Sequence, residues 1–185
     1  ILDYSDVFNV HTHRSGGTGS YYSLTTPILE NGRALSVIYG AQKPLWVTES
    51  GIRLPVDGSN NLYSTYLTTQ ARYAVTSAVE AFDSAGVDEY FYFLARHYIE
   101  DGREFGMFSS NDMPYPSTAS YAALTYHLGE AKYKGELRYL PDGVKGYMFN
   151  NGEEDVAVMW TKSGKSYVQL KSDRDVTLVS LVGEV

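Results

Sequence analysis

The residues best suited to chemistry close two short apolar runs. Pro44-Leu45-Trp46-Val47-Thr48-Glu49 ends on a carboxylate, and Asp6-Val7-Phe8-Asn9-Val10-His11 opens into a His11-Thr12-His13 triplet. A carboxylate at a rigid strand end can serve as nucleophile or base, because the strand holds it better than a loop would. Two histidines two residues apart share a face of an extended chain, so they can hydrogen-bond one group or ligate one metal. A third strand end carries Arg96, His97 and Tyr98, followed by Glu100, Asp101 and Glu104; the acidic trio reads as a solvated loop. With no cysteine in the chain, thiolate nucleophiles, Cys-based zinc sites and disulfides are excluded.

These positions call for elements that present them together. Val7, Phe8 and Val10 give a first short strand, Leu45 to Glu49 a second, and Asp88 to Ala95, with Tyr90-Phe91-Tyr92-Phe93, a third. Loops follow each: Thr12 to Tyr22, Ser50 to Asn61 and Arg96 to Pro116. Helices follow the loops. The first begins at Pro27 and stops near Gly40. The second carries Leu67, Ala71, Ala74, Val75, Ala78, Val79 and Phe82 at spacings of three and four, with Gln70, Arg72, Thr76, Ser77 and Glu80 on its polar face. The third runs from about Thr118 to Ala131. Strand, loop, helix in threefold recurrence indicates parallel βα units, whose strand C-terminal ends carry the chemistry. Trp46 falls out of phase with the strand end and is expected in the core.

After Gly135 the pattern changes. Val144–Phe149, Asp155–Thr161, Ser166–Leu170 and Val176–Leu181 read as short strands, with Asn150-Asn151-Gly152 and Lys162-Ser163-Gly164 as turns. The expected organisation is residues 1–135 as βα units and 136–185 as a small, incomplete antiparallel β module of sandwich type.

Composition narrows the partners. The formal net charge of −7, with no basic run, argues against nucleic acid and anionic membrane surfaces. No apolar stretch approaches the roughly 18 residues of a membrane span. Seventeen tyrosines among 185 residues supply flat apolar faces with polar tips, which suit strand packing and sugar rings alike. The opening Ile-Leu-Asp-Tyr is no start signal, so the chain is expected to begin inside a larger protein. A secreted or periplasmic location is compatible with that; none is fixed.

The segment Lys43-Pro44-Leu45-Trp46-Val47-Thr48-Glu49-Ser50-Gly51 resembles the seventh strand of the clan A glycoside hydrolases. The first strand resembles the sixth of that clan, which often ends in His-x-Tyr; here His13 stands in place of the tyrosine. Gln70-Ala71-Arg72-Tyr73 resembles the helix after strand seven, and Tyr90-Phe91-Tyr92-Phe93 strand eight. Pro114-Tyr115-Pro116 with Ser120-Tyr121-Ala122-Ala123-Leu124 resembles the entry to the last helix. The resemblance implies the C-terminal part of a (β/α)8 barrel, an α/β fold, followed by the β module. It also implies retaining hydrolysis of oligo- or polysaccharides with Glu49 as nucleophile, and no cofactor or metal. His11, His13, Tyr22, Phe93 and His97 become candidate substrate contacts, with Tyr21 and Tyr98 as further loop candidates; Phe93 stands where the clan often has a tryptophan platform. The clan's acid/base glutamate lies on its fourth strand, usually after asparagine, and no Asn-Glu pair occurs here. The chain is therefore expected to need the remainder of a barrel and to be inactive alone.

Two other readings stand beside this one. A barrel that lost its acid would be a carbohydrate-binding or structural protein. His11 and His13 also resemble the start of a metal-dependent amidohydrolase site, for which only His97 and His127 remain as further imidazoles.

Overall fold

The computed structural model describes residues 5–15, 34, 37, 43–84 and 86–185. In chain order its strands and helices are β1 (Phe8–His11), β2 (Arg14–Ser15), β3 (Leu45–Ser50), β4 (Ile52–Pro55), α1 (Leu67–Ser84), β5 (Glu89–Tyr92), β6 (Ile99–Glu100), β7 (Arg103–Glu104), α2 (Pro116–Leu128), β8 (Lys132–Glu136), β9 (Val144–Asn150) and β10 (Asp155–Thr161). Most of the helix expected after Pro27, with Tyr21, Tyr22 and Gly40, lies outside the described residues.

β3 is central in a three-stranded sheet of order β1-β3-β5, and both of its pairings are parallel. Its apolar alternation buries one face. Leu45 and Val47 pack with Ala81 of α1 and with Val87, joined by Phe8, Val10 and Tyr90 from the flanking strands. Complete burial of such side chains is worth about 1.5–3 kcal/mol each. The opposite face carries Asn9, Trp46 and Phe91; Asn9 and Phe91 are exposed, and the two rings lie 6.1 Å apart. Trp46 is thus half-buried on this open face, not in the core with Leu45 and Val47, because it alternates with them along the strand.

The fold is mixed α/β. Three parallel strands do not close on themselves, and among the described residues there is no closed barrel.

Helix α1 is covered more completely than its polar residues suggest. Of the residues on its polar face, Gln70, Thr76, Ser77 and Glu80 are buried, and Arg72 is exposed. The cause is packing on several sides: α1 meets β5, α2 and β8. Each buried group keeps a partner. Gln70 donates to the Gly106 carbonyl and accepts from Ser117 Oγ, and Ser77 Oγ lies 2.6 Å from Tyr90 Oη. Glu80 takes Lys145 Nζ of β9 at 2.9 Å. Burial draws the Lys145 pKa down, but contact with Glu80 outweighs it and the net shift is upward. Pro116 opens α2 at a position where its missing N–H costs nothing.

The three loops after the strands are less irregular than expected. Parts of them pair as a four-stranded sheet of order β2-β4-β7-β6 above the strand ends. Its strands have two to four residues, too few to show a period in the sequence.

The antiparallel module is the sheet β10-β9-β8. β9 and β10 match the expected strands, and Gly152 in the turn between them has φ of 99°, where a Cβ would be strained. β8 is an addition: Lys-Tyr-Lys-Gly-Glu has one large apolar residue, and it is held by pairing with β9. The expected strands at 166–170 and 176–181 do not form. Tyr167 and Leu178 are exposed there, so the apolar residues bury too little to offset the ordering of the backbone. No second sheet covers β8–β10 among the described residues. Tyr147 and Phe149 instead pack on Val79 of α1 and Leu128 of α2.

Two buried phenols tie stability to pH. Burial, followed by the neighbouring Tyr73, pushes the pKa values of Tyr90 and Tyr92 above their ordinary 10.0. A group whose folded pKa is raised contributes stability that is complete below its unfolded pKa and is lost as pH rises. Unfolding free energy should therefore hold steady up to about pH 10 and fall above it. Denaturant titrations across pH 8–11.5, with tyrosinate absorbance as a second probe, check this; a flat profile above about pH 10 would contradict it.

Candidate functional site

Strict alternation along β3 would put Glu49 beside Leu45 and Val47, against α1. A β-bulge prevents this. Val10 pairs with Val47 but His11 with Glu49, and Val47 pairs with Tyr90 but Ser50 with Tyr92. β3 thus advances one residue more than either neighbour around Thr48. Such an insertion re-aims the side chains beyond it. Ser50 consequently turns inward, fully buried, with its Oγ 3.0 Å from Tyr73 Oη of α1. Glu49 is delivered to the open side of the sheet, half-buried, next to His11.

The His11-Thr12-His13 segment is pinned through its middle residue. The Thr12 N–H donates to the Glu49 carbonyl at 2.8 Å, and the buried Tyr73 Oη donates to the Thr12 carbonyl at 3.0 Å. The flanking imidazoles converge on one carboxylate oxygen. His13 Nε2 lies 2.9 Å and His11 Nδ1 3.4 Å from Glu49 Oε2.

Aromatic rings fix His13. Its centroid is 5.2 Å from that of Phe93 and 5.4 Å from that of Phe105, both edge-on. Phe93 and Phe105 pack at 5.5 Å, and Tyr98 joins Phe93 at 5.7 Å. Gly51, just after Glu49, makes the close packing possible: a Cβ there would sit 2.2 Å from the Phe93 carbonyl oxygen.

His97 does not join this cluster; its Nδ1 contacts the Glu104 carboxylate. Glu104 is fully buried, which corrects its reading as a solvated loop residue. Its Oε1 accepts from the N–H groups of Tyr98 and Gly106. Leaving such buried donors unpaired costs about 1–3 kcal/mol each, so Glu104 is a clamp for the loop that carries Phe93, Tyr98 and Phe105. His127 lies in α2 against Tyr126. Among the described residues, the imidazoles of an amidohydrolase set are not assembled around His11 and His13. Tyr22 lies outside the described residues.

Phe105 supports the site without having been singled out in the sequence; Tyr73 stood out only within the resemblance of its helix, and Glu104 only as a solvated loop acid. Phe105 and Glu104 sit in a stretch with no periodic pattern. Tyr73 reads simply as a helix residue.

The arrangement can present a carboxylate, with two imidazoles at one of its oxygens, at the C-terminal edge of a parallel sheet. A solved structure of a family 39 glycoside hydrolase from the gut symbiont Bacteroides cellulosilyticus WH2 superposes with a TM-score of 0.64 over 95% of this chain, at 18% identity. The fold is glycoside hydrolase-like. The chain spans 38% of the length of that glycoside hydrolase. No protein-family model matches the sequence, and no curated protein matches it.

Proposed function

We propose that this chain is the nucleophile-bearing part of a retaining glycoside hydrolase. The observation that carries the proposal is the placement of Glu49: a bulge turns it out of the core at a strand end, onto the same face as His11. In retaining hydrolysis a carboxylate attacks the anomeric carbon while an acid protonates the departing oxygen. Water activated by that same acid/base residue then cleaves the glycosyl ester. Glu49 is the attacking group here. His13 holds its Oε2 by a hydrogen bond in the tautomer that carries the proton on Nε2, with His11 Nδ1 3.4 Å from the same oxygen, which leaves Oε1 for the sugar. Phe93 lies beside His13, and Tyr98 beside Phe93, as candidate sugar contacts.

The acid/base is assigned to strands outside this chain, because no Asn-Glu pair occurs in it and, among the described residues, the contacts of Glu49 are imidazoles. The remaining strands would come from elsewhere in the polypeptide or from a complementary chain. They would cover the open face that carries Trp46 and Phe91. The glycoside hydrolase-like fold over nearly the whole chain supports this reading.

A trapping experiment tests it. A 2-deoxy-2-fluoro glycosyl fluoride slows both steps but keeps a good leaving group, so the glycosyl ester accumulates. With the complete enzyme, the added mass is expected on the peptide containing Glu49. A label on another carboxylate would overturn the assignment.

A further inference from the structure

We propose that His11, His13 and Glu49 form a three-ligand site for a divalent transition metal of the Zn²⁺ class, and that the bound ion blocks Glu49. One atom from each residue lies within 4.8 Å of the others. In a tetrahedral site with bonds of about 2.0–2.1 Å, ligand atoms are about 3.3 Å apart. The Glu49 Oε2 separations of 3.4 Å to His11 Nδ1 and 2.9 Å to His13 Nε2 are already close to that value.

Both imidazoles approach Glu49 at Oε2, each through one ring nitrogen. In the alternative tautomers those two nitrogens present lone pairs to a common point, and the carboxylate oxygen supplies a third. Two nitrogens and one oxygen suit Zn²⁺ and its neighbours rather than Mg²⁺ or Ca²⁺, which prefer oxygen. Three protein ligands also leave the fourth position to water. The site is braced on one side and open on the other. Thr12 is pinned through its backbone, and His13 is wedged between Phe93 and Phe105, whereas half of the His11 side chain is exposed. An ion can thus arrive from solvent and be met by imidazoles needing only small rotations.

Blocking follows from charge: an ion bonded to Oε2 draws electron density from the carboxylate, weakens the free Oε1 as a nucleophile and sets a positive charge beside the cationic transition state. That part rests on the nucleophile reading; the binding itself does not. No redox change or co-reactant is involved.

The test is calorimetric titration of the 185-residue chain with ZnCl₂ at neutral pH, repeated with MgCl₂. One Zn²⁺ per chain is expected, with Mg²⁺ silent. His11→Leu, His13→Leu and Glu49→Gln should each weaken Zn²⁺ binding by about ten-fold or more. Far-UV circular dichroism on each variant separates a lost ligand from a lost fold. Since His11 is exposed, His11→Leu is the variant that keeps the test decisive if His13→Leu unfolds. Absence of Zn²⁺ binding to the wild-type chain, or equal binding by all three variants, would overturn the site. A glycosyl label on Glu49 with no Zn²⁺ affinity sinks the metal site alone. Zn²⁺ binding without a label sinks the nucleophile reading and, with it, the blocking.

Discussion

Glu49→Ala is expected to lower glycoside turnover in the completed barrel by on the order of 10⁴–10⁶-fold, the scale on which a hydrolase loses rate with its nucleophile. The effect is chemical because Glu49 does little structural work. Its carboxylate is about one-third exposed and its recorded partners are the side chains of His11 and His13. The backbone around it is secured independently, by Thr12 N–H on the Glu49 carbonyl and by Ser50 Oγ beside Tyr73 Oη. Substitutions at such partly exposed positions usually change stability by no more than about 0.5 kcal/mol. The variant should therefore fold, bind sugar and fail at the first displacement. A small external anion can enter the gap left by the missing carboxylate. If it restores turnover and gives the opposite anomer, the loss was one of nucleophile and not of shape. Near-normal turnover by Glu49→Ala would dismiss the assignment.

The parallel arrangement of β1, β3 and β5 was legible because each strand is a compact apolar run followed, after a loop, by a helical period or the next strand signal. The orientation of Glu49 was legible only through the resemblance. Counting alternate residues from Leu45 and Val47 sends Glu49 toward α1, and the bulge that reverses this leaves no mark in residue type. The loops failed in part for a related reason: β2, β4 and β7 are held by long-range pairing that no local window contains, whereas β6 and β7 form a tight hairpin over Asp101-Gly102, a turn signal that was present in the sequence. Glu104 looked solvated because charged residues usually are. Its burial depends on two backbone N–H groups and on His97, which only the folded loop brings to it. The strands expected at 166–170 and 176–181 show the converse. A local apolar pattern was present, but no surface was there to bury it.

The 185-residue chain by itself is expected to give no glycoside hydrolysis, even with Glu49 and both histidines in place. Attack on an anomeric carbon without leaving-group protonation expels an alkoxide, and general acid catalysis is typically worth about 10²–10⁴-fold. Among the described residues the contacts of Glu49 are imidazoles, and both sit on its Oε2. Positioning is lost as well. A sugar held by one parallel sheet with an open face forgoes most of the orientation that accounts for about 7–11 kcal/mol of barrier lowering in the best intramolecular reactions. A nitrophenyl glycoside removes the first handicap, because its leaving group needs little protonation, but not the second. The measurement is therefore nitrophenol release by the purified chain, with Glu49→Ala as control and a complementary fragment carrying the remaining strands as the second arm. Background release by the chain alone, and Glu49-dependent release once the fragment is added, is the expected pair of results. If the chain alone turns over and Glu49→Ala abolishes it, then the acid either lies within these residues or is unnecessary. The division of catalytic labour between this chain and the rest of a barrel would then be wrong.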